Sequence, residues 1–171
     1  FFQAEDGIRY CLLSRGLGDV YKRQDLIDEC AMSIGNQNVV LSMDVLKSAP
    51  SSSLPSGYEI VIDGGRTRTG KDALAWAYEG EKRGAGELVV NSIDADGTKA
   101  GYEICLTSMI SNSVRIPVIA SGGAGTPEHL SEVFSEGKAD AALVASMLHY
   151  GEYTISEIKS HLSADGHQIR V

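Results

Sequence analysis

The sequence predicts an α/β chain shaped as half of a (β/α)8 TIM barrel, with four parallel strands. Three observations lead there. Four short apolar segments, near 39–43, 88–90, 117–120 and 139–145, each run into a helical stretch, which implies parallel strands joined by right-handed crossovers. Each segment ends in polar residues: Asp44, then Asn91 with Asp94 and Asp96, then Ser121-Gly122-Gly123, then Ala145-Ser146. Parallel α/β folds keep their sites at such strand ends. Four strands are also half of what closes a barrel, and alone they leave two unpaired edges. An open flavodoxin-like sheet is the other architecture that four or five parallel strands allow.

The elements follow in order. Residues 1–24 sustain neither a helix nor a strand period and are expected to be a non-native or poorly ordered segment without a functional role. Residues 25–171 form the predicted half-barrel domain. Asp25 to Ser33 reads as a helix tail with Leu26, Ile27, Cys30 and Ile34 on one face and Gly35 as its stop. Val39 to Met43 is an apolar strand ending in Asp44. A long Ser-, Pro- and Gly-rich connection follows, in which Tyr58 to Asp63 can pair as a small hairpin. Lys71 to Arg83 is a predicted helix with Leu74, Ala75 and Tyr78 inward and Gly84 at its end. After the strand at Leu88, a helix is expected over Tyr102 to Val114. Thr126 caps the next helix, which has Pro127 in its first turn and ends near Gly137. Met147 to Tyr150 reads as a short turn, and Thr154 with Glu157 as a capping box opening the last helix.

Composition narrows the function classes. A chain of 171 residues, 43% hydrophobic and 22% charged, can bury one sizeable core. Its net charge of −8 argues against non-specific nucleic-acid binding. Cys11, Cys30 and Cys105 lack the spacing of a zinc site or a disulfide framework, which fits a reducing cytoplasm. No apolar run reaches the roughly 18 residues of a membrane span.

The strand ends carry the candidate chemistry. Asp44 and Asp96 are expected to face one another across the mouth, where two carboxylates in different environments can divide acid and base work. Asp94 reads more simply as a structural hydrogen-bond acceptor. The same carboxylates could hold Mg²⁺, but nothing requires a metal. Gly122 and Gly123 let backbone N–H groups approach an anion, and the chain at Ala145-Ser146 opens a short helix whose amides can do the same. The glycines alone are a weak signal; paired with the next strand end they form a phosphate-binding pattern.

The strings Gly84 to Tyr102 (GAGELVVNSIDADGTKAGY), Pro117 to Gly125 (PVIASGGAG) and Ala139 to His149 (ADAALVASMLH) resemble the cyclase subunit family of imidazole glycerol phosphate synthase. The resemblance covers the second half of that family's barrel, from the fourth helix to the eighth. It implies catalytic roles for Asp44 and Asp96, Asp44 matching the fifth-strand acid–base carboxylate. It also implies substrate or phosphate binding by Asn91, Gly97, Ser121, Gly122, Gly123, Ala145 and Ser146. Glu87 matches a glutamate at the opposite mouth, where ammonia enters from a glutaminase subunit. His149, matching a family histidine near the eighth strand, is expected to pack or to support a site residue without touching substrate. Implied too are histidine biosynthesis, a phosphorylated small-molecule substrate, no cofactor and a cytoplasmic location. The first four strands and their catalytic aspartate are missing, so the chain is expected to be a fragment that cannot turn over substrate alone. A non-catalytic, phosphate-binding half-barrel that self-associates, and so homodimerises, is the alternative.

Overall fold

Alternating side chains build the sheet. In β1 (Val40–Lys47) Leu41, Met43 and Val45 point into the core, and in β4 (Glu87–Ser92) Leu88 and Val90 do the same. Met43 and Leu88 are fully buried, and each such side chain contributes roughly 1.5–3 kcal/mol through removal from water. The computed structural model describes residues 21 and 23–169. The expectation for residues 1–24 therefore falls largely outside the described residues.

The chain forms one six-stranded α/β sheet, ordered β3-β2-β1-β4-β5-β6. Here β2 is Tyr58–Ile62, β3 Thr67–Asp72, β5 Val118–Ser121 and β6 Ala141–Ala142. The pairs β1–β4, β4–β5 and β5–β6 are parallel, whereas β2 pairs antiparallel with both β1 and β3. The four expected parallel strands are β1, β4, β5 and β6, and the sheet gains two antiparallel strands, β2 and β3, for six in all. The hairpin forecast around Tyr58 does not stand apart but extends the sheet beyond β1. Its tight turn takes Asp63, Gly64 and Gly65 through positive φ. All five residues of β2 are buried, which explains why the segment prefers pairing to solvent.

The hairpin also lengthens β1. Val45, Leu46 and Lys47 pair with Ile60, Glu59 and Tyr58, so the strand continues past Asp44 rather than ending there. At the other edge β6 shrinks to two residues, because among the described residues β5 is its one partner and β5 stops at Ser121.

Helices cover one face of the sheet. They are α1 (Asp25–Ile34), α2 (Ala73–Arg83), α3 (Ile104–Ser111), α4 (Pro127–Ser135), α5 (Ser146–His149) and α6 (Ile155–Ala164). In α1 the buried positions are Ile27 and Ala31, with Gly35 at the C-cap. The inward face of α2 is Ala73, Trp76, Ala77 and Gly80, with the half-buried Leu74 packed against the same core as expected; Ala75 and Tyr78, also expected inward, are exposed, Tyr78 at 61%. Gly80 sets this rotation: a Cβ there would lie 2.3 Å from Leu41 Cδ2, so the helix packs its small residues on the strand. Asp72 begins α2 by accepting from the Leu74 and Ala75 amides, and its other oxygen accepts from the amide and hydroxyl of Ser56. This ties the long connection to the helix start.

The helix after β4 begins at Ile104 rather than Tyr102. Tyr102 is 6% exposed and donates its hydroxyl to the Leu143 carbonyl at 2.9 Å. Burial pushes this phenol up from its ordinary pKa. Glu103 is taken by the Tyr58 hydroxyl at 2.8 Å. Thr126 stands at the N-cap of α4 in extended conformation, but its side chain makes no cap bond; instead the Gly125 amide donates to His129 Nδ1 at 3.2 Å. The capping box at Thr154 and Glu157 is present in both directions. The Thr154 amide, then its hydroxyl, hold the Glu157 carboxyl below the usual glutamate range.

Candidate functional site

Parallel register brings three candidate residues into one row. Asp44 pairs with Asn91, and Asn91 with Ser121. All three are half-buried on the face turned away from the helices. Asn91 Nδ2 donates to Asp44 Oδ1 at 2.9 Å, and among the described residues no hydrogen bond reaches Asp44 Oδ2. A carboxylate with one oxygen fixed by an amide and the other available is oriented for proton transfer. Glu87 sits at the other end of β4, paired with Val40, about 13 Å from the polar row by strand rise over four residues.

Above the row, two glycines allow two loops to touch. Gly122 and Gly123 take φ of 88° and 104°. A Cβ on Gly122 would lie 3.0 Å from Asn91 Oδ1 and 3.4 Å from Asp96 Cβ. A Cβ on Gly123 would lie 2.0 Å from the Gly101 carbonyl oxygen, whose residue donates its amide to Gly123 O at 2.9 Å. The loop after β5 is therefore seamed to the loop after β4 by backbone alone. Gly97 lies exposed with φ 76°.

Asp96 is exposed in the loop after β4, its amide donating to Ser92 O at 2.9 Å. The structure thus brings Asp44, Asn91 and Ser121 together, sets Asp96 beside Gly122, and shows no direct bond between the two candidate carboxylates among the described residues. Asp94 is structural: its Oδ2 accepts from the Lys47 amide at 2.7 Å, joining the β4 loop to the end of β1. Ala145 is the N-cap of α5, and Ser146 is its first residue. The first amides of a helix have no partner within it, so they face outward. The chain reaches this turn from β6, where the Leu143 amide donates to Ala120 O at 2.8 Å. His149 is exposed, with its ring edge on Tyr150 at 5.3 Å. Among the described residues no group of three or more His, Cys, Asp or Glu could hold a metal ion.

Sequence reasoning missed the supports around this rim. Lys47 contributes through its backbone, which leaves no side-chain signature. Lys99 pairs with Glu152 across 53 positions, a separation no local pattern reveals. Gly125 sits against Lys99, where its Cβ would lie 2.3 Å from the lysine carbonyl; only the unusual run of glycines hinted at it.

Comparison with known proteins identifies the family. A profile described as "Histidine biosynthesis protein" matches residues 17–154. The chain is 62% identical over 149 residues to the imidazole glycerol phosphate synthase subunit HisF of Desulfatibacillum aliphaticivorans, covering 87% of this chain and 57% of that protein. It is 62% identical over 146 residues to the HisF subunit of Syntrophobacter fumaroxidans, covering 85% of this chain and 56% of the relative. Against the HisF subunit of Desulforapulum autotrophicum it is 56% identical over 149 residues, 87% of this chain and 58% of the relative. The chain spans little more than half the length of these curated relatives. With its α/β sheet and its polar row at the parallel strand ends, the chain belongs to the histidine biosynthesis protein family, on its HisF branch.

Proposed function

We propose that the chain is the C-terminal half of a cyclase barrel that uses ammonia from a glutaminase subunit to close an imidazole ring. The substrate is a bis-phosphorylated ribulosyl aminoimidazole carboxamide ribotide; the products are imidazole glycerol phosphate and aminoimidazole carboxamide ribotide. The observation that carries this reading is the row Asp44, Asn91 and Ser121 at the C-terminal side of three parallel strands, with Glu87 at the opposite end of the middle one. Barrel enzymes place chemistry at the first end and leave the second for access.

In this reading Asp44 moves the proton, Asn91 and Ser121 complete the polar floor, and Asp96 and Gly97 orient substrate. Gly122, Gly123, Ala145 and Ser146 hold one terminal phosphate through backbone amides, where an anion gains from aligned N–H groups. Glu87 lies at the ammonia-entry mouth. No cofactor takes part, and the setting is the cytoplasm. The chain alone lacks the opposing strands and does not turn over substrate. Titration with inorganic phosphate, followed by amide NMR, is expected to shift Gly123 and Ser146. Shifts confined to other residues refute the anion site.

A second reading, a self-associating phosphate-binding half-barrel, is favoured by one observation. The sheet face turned from the helices carries Val40, 51% exposed, together with the half-buried Val89 and Ile119. Apolar residues so placed favour cover by a second copy. Sedimentation at micromolar concentration is expected to show a dimer or larger species, and a clean monomer counts against this reading.

A further inference from the structure

We infer that Lys99 is a positioning residue, whose ion pair with Glu152 clamps the Asp96–Gly97 loop onto the turn between α5 and α6. Several independent features converge on it. Lys99 adopts φ 59°, a left-handed conformation that residues with a Cβ rarely occupy. That conformation is held from behind by Gly125, where any Cβ would meet the Lys99 carbonyl at 2.3 Å and the Lys99 Cβ at 2.7 Å. The side chain so directed reaches Glu152, and its ammonium also lies 5.3 Å from the Tyr150 ring centroid. Glu152 is itself anchored, its amide donating at 3.0 Å to the carbonyl of fully buried Met147. One lysine thus bridges the loop after β4 to the segment that follows Ser146, while its backbone abuts the loop after β5.

The pair is not there chiefly for stability. Its side chains are 37% and 38% exposed, and ion pairs at that exposure contribute little to folding. What it changes is the freedom of a loop that is otherwise exposed from Asp94 to Thr98 except at Ala95. Loops with few buried contacts open locally at small cost, so a modest tether shifts how often Asp96 and Gly97 stand over the strand ends. The functional weight of the clamp rests on the proposed reading of Asp96 and Ser146 as substrate contacts.

The test separates the two ideas. Amide hydrogen exchange on the full chain is expected to speed up about five- to tenfold at residues 97–101 in Lys99→Met and in Glu152→Gln. Lys99→Arg is expected to retain wild-type exchange, and the swap Lys99→Glu with Glu152→Lys to restore it, with the urea midpoint unchanged throughout. Unchanged protection at 97–101 in both single variants overturns the clamp, as does a swap that rescues nothing. Inorganic phosphate supplies the second readout. In the wild type, shifts at Ser146 are expected to be accompanied by shifts at Asp96 and Gly97, and in Lys99→Met only Ser146 is expected to move. Joint shifts that survive Lys99→Met overturn the coupling. If no variant shows shifts at Gly123 or Ser146, the phosphate reading fails and the exchange data still decide the clamp.

Discussion

Gly123→Ala is expected to destabilise the domain by about 3 kcal/mol or more, a large share of the roughly 5–15 kcal/mol that holds a domain together. Two costs add. A φ of 104° is a region L-residues rarely occupy, worth about 1–2 kcal/mol. The new Cβ would then sit 2.0 Å from a backbone oxygen, that of Gly101. Backbone cannot swing aside as a flexible side chain does, so the loops after β4 and β5 must part and the bond from Gly101 N to Gly123 O must stretch. Gly97→Ala is the internal control. Its φ of 76° is also positive, yet no atom lies within 4 Å of its would-be Cβ, so only the conformational cost of about 1–2 kcal/mol remains. Urea denaturation of both variants measures the difference. Equal losses at the two glycines would show that close approach, rather than φ, has been overvalued.

That contrast shows what was legible in the sequence. The apolar runs and their polar ends located the parallel strands, since period and strand-end polarity are local properties. The capping box at Thr154 was legible for the same reason: Thr and Glu three apart satisfy one another without distant help. What local pattern could not supply was pairing. Nothing in Val45 to Lys47 says that Tyr58 to Ile60 will lie alongside, yet that pairing carries β1 beyond Asp44. The rotation of α2 failed likewise. Tyr78 is a large apolar residue, but Gly80 is where α2 meets Leu41, which turns Ala73, Trp76 and Ala77 inward and leaves Tyr78 outside. Within the candidate site, residue identities at the strand ends were readable and their grouping was not. Register puts Asp44 beside Asn91, whereas the expected partner Asp96 lies out in a loop. Registers are set by long-range pairing, and so are the backbone seams at Gly101 and Gly125.

Asp44→Asn, placed in a complete barrel made by joining this chain to the missing half, is expected to lower kcat by about 10²–10⁴ with little change in KM, the range for loss of a general acid or base. Asn91 Nδ2 holds Asp44 Oδ1 at 2.9 Å, so the amide replacement can keep its oxygen in that bond and nearly its shape, and only the capacity to exchange a proton is lost. A uniform loss of binding would raise KM at constant kcat instead. Asn91→Thr, which retains a hydroxyl donor at the same register position, is expected to cost less than tenfold. Asn91→Leu removes the donor and leaves Asp44 Oδ1 half-buried without its partner, a penalty of about 1–3 kcal/mol in stability, with a fall in kcat through the loss of carboxylate orientation. If Asp44→Asn retains wild-type kcat, Asp44 is not the proton-transfer group, and the row it forms with Asn91 and Ser121 holds substrate without reacting with it. If Asn91→Leu alters stability but not kcat, the bond between the two side chains is a packing contact and orients nothing.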